Sequence, residues 1–324
     1  MKKWMKAIAA TMVLSMAMTG CGGSGDSAGG DGDKYTVGII QLLEHPALDA
    51  ATQGFQDKLT ELTDGNVVFD YQNAQGEQTN CTTIATKFVS DDVDLIMANA
   101  TTVLQAAAAA TADIPIIGTS VTDYVTAGVV DSNEAPGRNV TGASDLAPID
   151  EQIAMLQTLF PDVQKVGIVY CSAEPNSIYQ SKLAQAELDK AGIAWAEYTA
   201  ADSNEVQAVV TKAVSACDVL YVPTDNTMAN NTEIIKNVAV PAGVPVIAGE
   251  EGICAGCGVA TLSISYYDLG VKAAEMAFEI LANGANPAEM PVEYVSEGIT
   301  EKYNAEIAEA LSVVIPEGMV AIGE

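Results

Sequence analysis

A set of short landmarks occurs twice in this chain, in the same order, and that duplication restricts the fold more than any other feature. Val37-Gly38-Ile39 opens an apolar run that leads through Glu44, His45 and Pro46 into a helical stretch over about Ala47 to Leu62. Val166-Gly167-Ile168 opens another, 129 residues on, leading through Glu174, Pro175 and Asn176 into a helical stretch over about Ser177 to Ala191. Asp94-Leu95-Ile96-Met97 before Asn99 to Thr102 is echoed by Asp218 to Val222 before Thr224 to Thr227, at an offset of 124. Ile114-Pro115-Ile116-Ile117-Gly118 is echoed by Val244-Pro245-Val246-Ile247-Ala248, at an offset of 130. Each copy alternates short β-branched apolar runs with longer amphipathic stretches, the signature of βαβ units around a parallel sheet. The copies are too long for solenoid repeats.

The duplication predicts an α/β protein of two doubly wound, Rossmann-like lobes. Ligands of such sheets sit beyond the carboxyl ends of the strands, so the loops after the apolar runs are the candidate site. If the lobes face one another, Gln41, Glu44, His45, Asn99, Thr101, Thr102, Ser120 and Asp123 of the first converge on Glu174, Asn176, Asp225, Asn226 and Glu250 of the second. Beyond the second copy, a helix over Tyr266 to Asn283, a strand over Val292 to Val295 and a helix over about Glu301 to Leu311 suit further crossings between lobes, and multiple crossings make a hinge. The expected boundaries are residues 35–141 with about 264–288 for the first lobe, and 142–263 with about 289–324 for the second.

Residues 1–20 differ in kind. Lys2, Lys3 and Lys6 precede an apolar run from Ala7 to Met18, shorter than the ~20 residues a spanning helix needs, and the pattern is that of a secretory signal. Met18-Thr19-Gly20-Cys21 resembles a lipobox, with Met18 where leucine is usual. That resemblance implies that Cys21 is acylated and becomes the mature N-terminus. Residues 21–34 form a Gly/Ser/Asp tether with no aliphatic side chain larger than alanine from Gly22 to Asp33, a composition that behaves as flexible coil. A lipid and a leash imply a receptor anchored to the extracytoplasmic face of a membrane without spanning it.

The formal charge is −29, and loss of the signal, with its three lysines and no acid, moves it to −32. Nucleic acid is excluded as a partner, because binding a polyanion needs clustered Lys and Arg. Besides Cys21 there are Cys81, Cys171, Cys217, Cys254 and Cys257. Five scattered thiols make no disulfide framework; Cys254 and Cys257 read as a redox pair, a disulfide, half a zinc site or plain thiols, and the last is favoured. With His45 as the sole histidine, neither a metal site nor a catalytic pair is expected.

From about Tyr35 onward the chain resembles the type I periplasmic-binding-protein fold, and within it the ABC-transporter substrate-binding lipoproteins of tryptophan and tyrosine-type uptake. The matching runs are Val37 to Gln41 with Glu44 to Asp49, Thr119 to Asp123, Asn139 to Asp145, Glu174 to Ser177, Val222 to Asn226 and Pro245 to Glu250. The resemblance implies a non-enzymatic, cofactor-free receptor, expected as a monomer, that captures a small molecule such as an amino acid and delivers it to an ABC permease driven by a separate ATPase. No Walker-type phosphate loop occurs in the chain itself. Cys171 stands where a polar residue is expected, and Trp4, one of two tryptophans, leaves with the signal.

An amino acid brings a carboxylate and an ammonium that must both be paired once water is expelled. Thr101, Thr102 and Ser120, at strand ends before helices, suit the carboxylate, and Thr101 and Thr102 serve equally well as N-caps. Asp225 with Glu250, or Glu44 with Glu174, suit the ammonium. Asp225-Asn226 is favoured as a ligand contact over a plain turn, with the Asp225 carboxylate expected on a loop whose loss spares folding. A lipoprotein enzyme, a ligand sensor for a membrane kinase, and a receptor for a sugar or nucleoside are the rival readings, because one fold serves them all.

Overall fold

A computed structural model of the chain describes residues 34–295 and 299–323. The expected signal, the tether as far as Asp33 and the lipidation site Cys21 lie outside the described residues. The strands of the first copy are β1 (Tyr35–Gln41), β2 (Val67–Asn73), β3 (Leu95–Asn99), β4 (Ile116–Val121) and β5 (Val140–Ser144). Those of the second are β6 (Lys165–Cys171), β7 (Ala194–Ala200), β8 (Val219–Val222), β9 (Val246–Ala248) and β10 (Ala260–Ser263), followed by the short β11 (Glu293–Tyr294), β12 (Thr300–Tyr303) and β13 (Val320–Ala321). The helices between them are α1 (Pro46–Leu62), α2 (Gln78–Ser90), α3 (Thr101–Ala110), α4 (Ile149–Leu159), α5 (Pro175–Ala191) and α6 (Val206–Val214). Then come α7 (Asn226–Ala229), α8 (Thr232–Ala242), α9 (Glu251–Cys257), α10 (Tyr266–Asn283) and α11 (Ala305–Ala310).

Two sheets result, in the orders β11-β5-β4-β3-β1-β2 and β13-β12-β10-β9-β8-β6-β7. The order 5-4-3-1-2 of the first is reproduced as 10-9-8-6-7 in the second, so the duplication read from the landmarks is a duplication of topology. The equivalence extends to side chains: Asp94 accepts from Thr36 N at 2.7 Å at the start of β1, and Asp218 accepts from Lys165 N at 2.8 Å at the start of β6. Strand pairs are parallel except β10 with β12. Each sheet buries both faces, as a sheet built of βαβ crossovers must. On β1, Val37 and Ile39 enter one apolar cluster with Phe55, and Ile40 enters the other with Phe88.

The last segment departs from expectation. Residues 301–303, expected inside a helix, pair with Thr300 as a strand antiparallel to β10, leaving only Ala305–Ala310 helical. Thr300 and Tyr303 are poorer helix formers than the Ala- and Glu-rich stretch after them. The expected strand over 292–295 contracts to β11, which pairs with β5 of the first sheet, and β5 itself runs on to Ser144. Residues 142–144 and 293–294 therefore belong with the first sheet, and the chain passes between sheets after Ser144, after Ser263 and after Tyr294.

Helix α10 returns to the first sheet because it can approach α1 unusually closely. A Cβ at Gly270 would stand 2.0 Å from the Ala51 carbonyl oxygen, and one at Gly54 would stand 2.1 Å from that of Tyr267. Gly270→Ala is expected to lower stability by ~1–3 kcal/mol through overpacking, measured by denaturant titration; an unchanged midpoint would mean that the two helices are free to separate.

Candidate functional site

The carboxyl ends of both sheets point at one another, and the residues that follow them line one enclosed pocket. From the first lobe come His45 after β1, Leu48, Ser120 in β4 and Asp145 after β5; from the second come Asn176, Thr224, Asp225, Asn226, Ala229 and Glu250, with Tyr266 opening α10. Asn176 also faces Thr101, Asp123 and Tyr179 in an adjoining recess. A separate, wider cleft of ≈ 620 Å³ is lined by Glu44, Thr102, Glu174 and Thr227 among others. The enclosed part has a free volume of ≈ 10 Å³, the size of about one water. A larger guest needs the lobes to part. They are latched by His45 Nε2 against Asn226 Oδ1 at 3.2 Å and by Gln180 Nε2 donating to Thr122 Oγ1 at 3.1 Å.

The backbone is strained where the pocket is built. Ala100, ahead of α3, has φ 103°, and Ser120 has φ 55°, conformations that side chains other than glycine seldom adopt and that concentrate at functional sites. Ala100 occupies the N-cap of α3 without any side-chain cap bond, so Thr101 is not the capping residue that its position suggested. Its hydroxyl is buried and has no protein partner, and the same holds for Ser120 Oγ, Asn176 Oδ1 and His45 Nδ1. The first N–H groups of α3 have no intrahelical acceptor.

The second lobe contributes carboxylates. Glu174 accepts from Asn226 N, Asn226 Nδ2, Thr227 N, Thr227 Oγ1 and Asn176 Nδ2 at 2.7–3.2 Å. Asp225 is 1% exposed; one oxygen accepts from Met228 N at 2.8 Å and caps α7, the other from Cys171 N at 2.6 Å. Glu250 caps α9 through the N–H groups of Gly252 and Ile253. Asp145, which the sequence reading did not single out, accepts from Thr122 at 2.9 Å and from Tyr266 at 3.0 Å. No Lys or Arg lines the enclosed pocket among the described residues. Burial therefore raises the pKa of Asp145, raises that of Asp225 with a further push from Glu174, and carries Glu250 up to about 7. Burial also lowers that of His45, against a smaller opposing contribution from Asn226.

Not every expected residue reaches the pocket. Gln41 is wholly buried and braces its own lobe, donating to Asp49 at 2.6 Å and accepting from Thr52 at 2.6 Å. Asn99 likewise donates to Leu48 O and Thr52 Oγ1. Both sit at the last strand residue, where side chains of a fully covered sheet still point into the helices. Glu44 is exposed in the separate wider cleft and Asp123 holds its own turn by accepting from Thr126 N. Tyr266 and Asp145 escaped notice because one reads as a helix start and the other as a crossing; only the matched run ending at Asp145 hinted at it. All five described cysteines are buried free thiols, no metal-holding cluster occurs among the described residues, and no described helix is long and apolar enough to cross a membrane.

Two measurements follow. The expectation that Asp225 is dispensable for folding is corrected by its two backbone bonds. Asp225→Ala leaves two N–H groups unpaired, and a loss of ~1–3 kcal/mol of ligand-free stability is expected; an unchanged melting temperature would show that these two bonds contribute nothing to folding. Glu250 has a higher pKa folded than unfolded, so its favourable contribution exists below about pH 4.5 and is lost as the pH rises toward about 7. In calorimetry, the melting temperature of Glu250→Gln relative to the parent is expected to climb between about pH 5 and pH 8. A difference independent of pH would contradict the buried carboxyl.

The comparisons agree with this architecture. A family model described as ABC transporter substrate binding protein matches residues 36–323. A tyrosine-binding protein of Clostridioides difficile is 40% identical over 300 residues, covering 90% of this chain and 86% of that protein. An ABC domain from Streptococcus pneumonia in complex with L-Trp superposes with a TM-score of 0.86 at 32% identity, covering 89% of this chain and 100% of that one. A ligand-free, open substrate-binding protein with adhesive properties from Clostridium difficile gives a TM-score of 0.69 at 38% identity, covering 89% and 99%. Two facing, duplicated lobes with a polar pocket between them, matched over nearly their whole length, place this chain in the family of ABC transporter substrate-binding proteins.

Proposed function

We propose that the chain captures an aromatic amino acid between its lobes and hands it to an ABC permease powered by a separate ATPase. The observation that carries the reading is the polarity of the pocket. Asp145, Asp225 and Glu250 lie within it with no Lys or Arg among the lining residues, an arrangement that favours an ammonium as the missing partner. A carboxylate suits the unpartnered hydroxyls of Ser120, in the same pocket, and of Thr101, at the N-terminus of α3 in the adjoining recess. A sugar or nucleoside offers no cation for three buried acids. The aromatic side chain is suggested by the L-Trp and tyrosine named for the relatives. The whole-chain match is better to the L-Trp complex than to the open, ligand-free relative, although the latter is the nearer in sequence, which supports a closing motion around the guest.

The proposed working form is a monomer held at the extracytoplasmic face by a lipid on Cys21, with residues 22–33 as its leash. The reading is tested by thermal shift and scattering on the mature protein. Tryptophan or tyrosine at 100 times its dissociation constant is expected to stabilise it by ~2.7 kcal/mol and to shrink the radius of gyration. If none of the aromatic amino acids moves the melting temperature, the reading is wrong; stabilisation without compaction would remove the closing motion alone.

A further inference from the structure

The interlobe latch carries information about hydrogen-bond polarity. Asn226 donates through Nδ2 to Glu174 Oε2 at 2.7 Å and through its own backbone N at 3.0 Å. The amide is thereby oriented, because turning it over would set two oxygens against each other at that distance. Its Oδ1 is left facing His45 Nε2 at 3.2 Å across the cleft, and a carbonyl oxygen only accepts. His45 Nε2 must therefore carry the proton. The ring is 8% exposed and burial lowers its pKa, so the neutral imidazole has one proton to give and Nδ1 is a bare lone pair. Nδ1 is buried and has no protein partner, in a residue that lines the enclosed pocket.

Resting on the functional reading above, we infer that His45 is a specificity-determining residue whose Nδ1 accepts a hydrogen bond from a neutral donor on the ligand side chain, a phenol O–H or an indole N–H. The ammonium is not the natural donor for it. Asp145, Asp225 and Glu250 surround the same space, and a carboxylate outbids a neutral imidazole for a cation. What remains for Nδ1 is an uncharged O–H or N–H, and a ligand lacking one buries that nitrogen unpaired. Sites built this way discriminate by leaving their own polar group unsatisfied in the wrong complex. Glu174 acts through the orientation it imposes on Asn226; its charge and that of Asp49 also favour the protonated ring, but less than burial disfavours it.

The inference separates aromatic amino acids that differ by one atom. By isothermal titration the parent protein is expected to bind tyrosine at least ~10-fold more tightly than phenylalanine. 4-Aminophenylalanine, which restores a ring donor, should bind like tyrosine; 4-fluorophenylalanine, similar in size but without a donor, should bind like phenylalanine. On the protein side, His45→Gln places an amide nitrogen near the Nε2 position and can keep the latch to Asn226 while removing the Nδ1 acceptor. Its tyrosine-to-phenylalanine ratio should collapse toward unity. His45→Asn places an amide oxygen near Nδ1 and removes the latch, and should weaken both ligands together while keeping the ratio. Equal binding of tyrosine and phenylalanine by the parent, or a full ratio in His45→Gln, would overturn the role of His45 and leave the function standing. Failure of the parent to bind any of these amino acids or tryptophan would overturn the function itself and this inference with it. The ligand series reads the donor without a variant that has to fold.

Discussion

The carboxyl end of a parallel sheet cannot be finished by its own lobe. Crossover helices cover the two faces of β1 to β5 and of β6 to β10, but at the strand tips the chain must turn, and there it exposes polar loops and the N–H groups of helix N-termini. Both lobes have this same open edge, because both have the same strand order. Placed tip to tip, each covers the other, at the cost of burying Asp145, Asp225, Glu250, Asn176, Ser120 and His45. Asp225 and Glu250 are held by backbone N–H groups of their own lobe, Asp145 by Thr122 and Tyr266 and Asn176 by Glu174 and Thr224 O, while Ser120 Oγ has no protein partner and His45 reaches across to Asn226. Each then faces the cleft with spare capacity.

The pocket is thus an electrostatic mismatch stabilised from behind. Asp225 and Glu250 cap α7 and α9, so the helices depend on carboxylates that burial pushes toward protonation. A buried negative charge without a cation is unfavourable in a low-dielectric site, and a cationic guest relieves it while the lobes remain closed. Glu174 differs: with five donors around it its capacity is spent on ordering Asn176, which lines the pocket, and Asn226, which meets His45 of the opposing lobe.

How much of this could be read from residues alone varies with the range of the interactions involved. The duplication was legible because Val37 and Val166, and Ile116 and Val246, sit in equivalent strands that Asp94 and Asp218 precede in the same way before β3 and β8, and strand apolarity is a local property. Helix starts were legible at Pro46 and Pro175, where the missing N–H and fixed φ suit a first turn. The tail was not: Thr300 to Tyr303 becomes a strand only because β10 offers it an open edge, a partner some forty residues away in sequence. The loops that form the site were located from strand ends, yet Gln41 and Asn99 turned inward, and Asp145 and Tyr266 joined from a crossing and a helix start.

The sequence by itself determined two α/β lobes of one origin, the edges at which they would face and an acidic, histidine-poor set of polar residues there. These follow from periodicity, β-branching and proline placement, which act within a few residues. The tertiary structure alone decided that Asp225 and Glu250 are structural caps as well as pocket walls, that Gln41 and Asn99 are braces, and that His45 meets Asn226 with a free Nδ1. Whether a polar side chain is spent on its own lobe or left for a guest depends on which backbone N–H groups and carbonyls lie within about 3 Å of it. Those neighbours are brought together from separate strands, and no spacing along the chain records them.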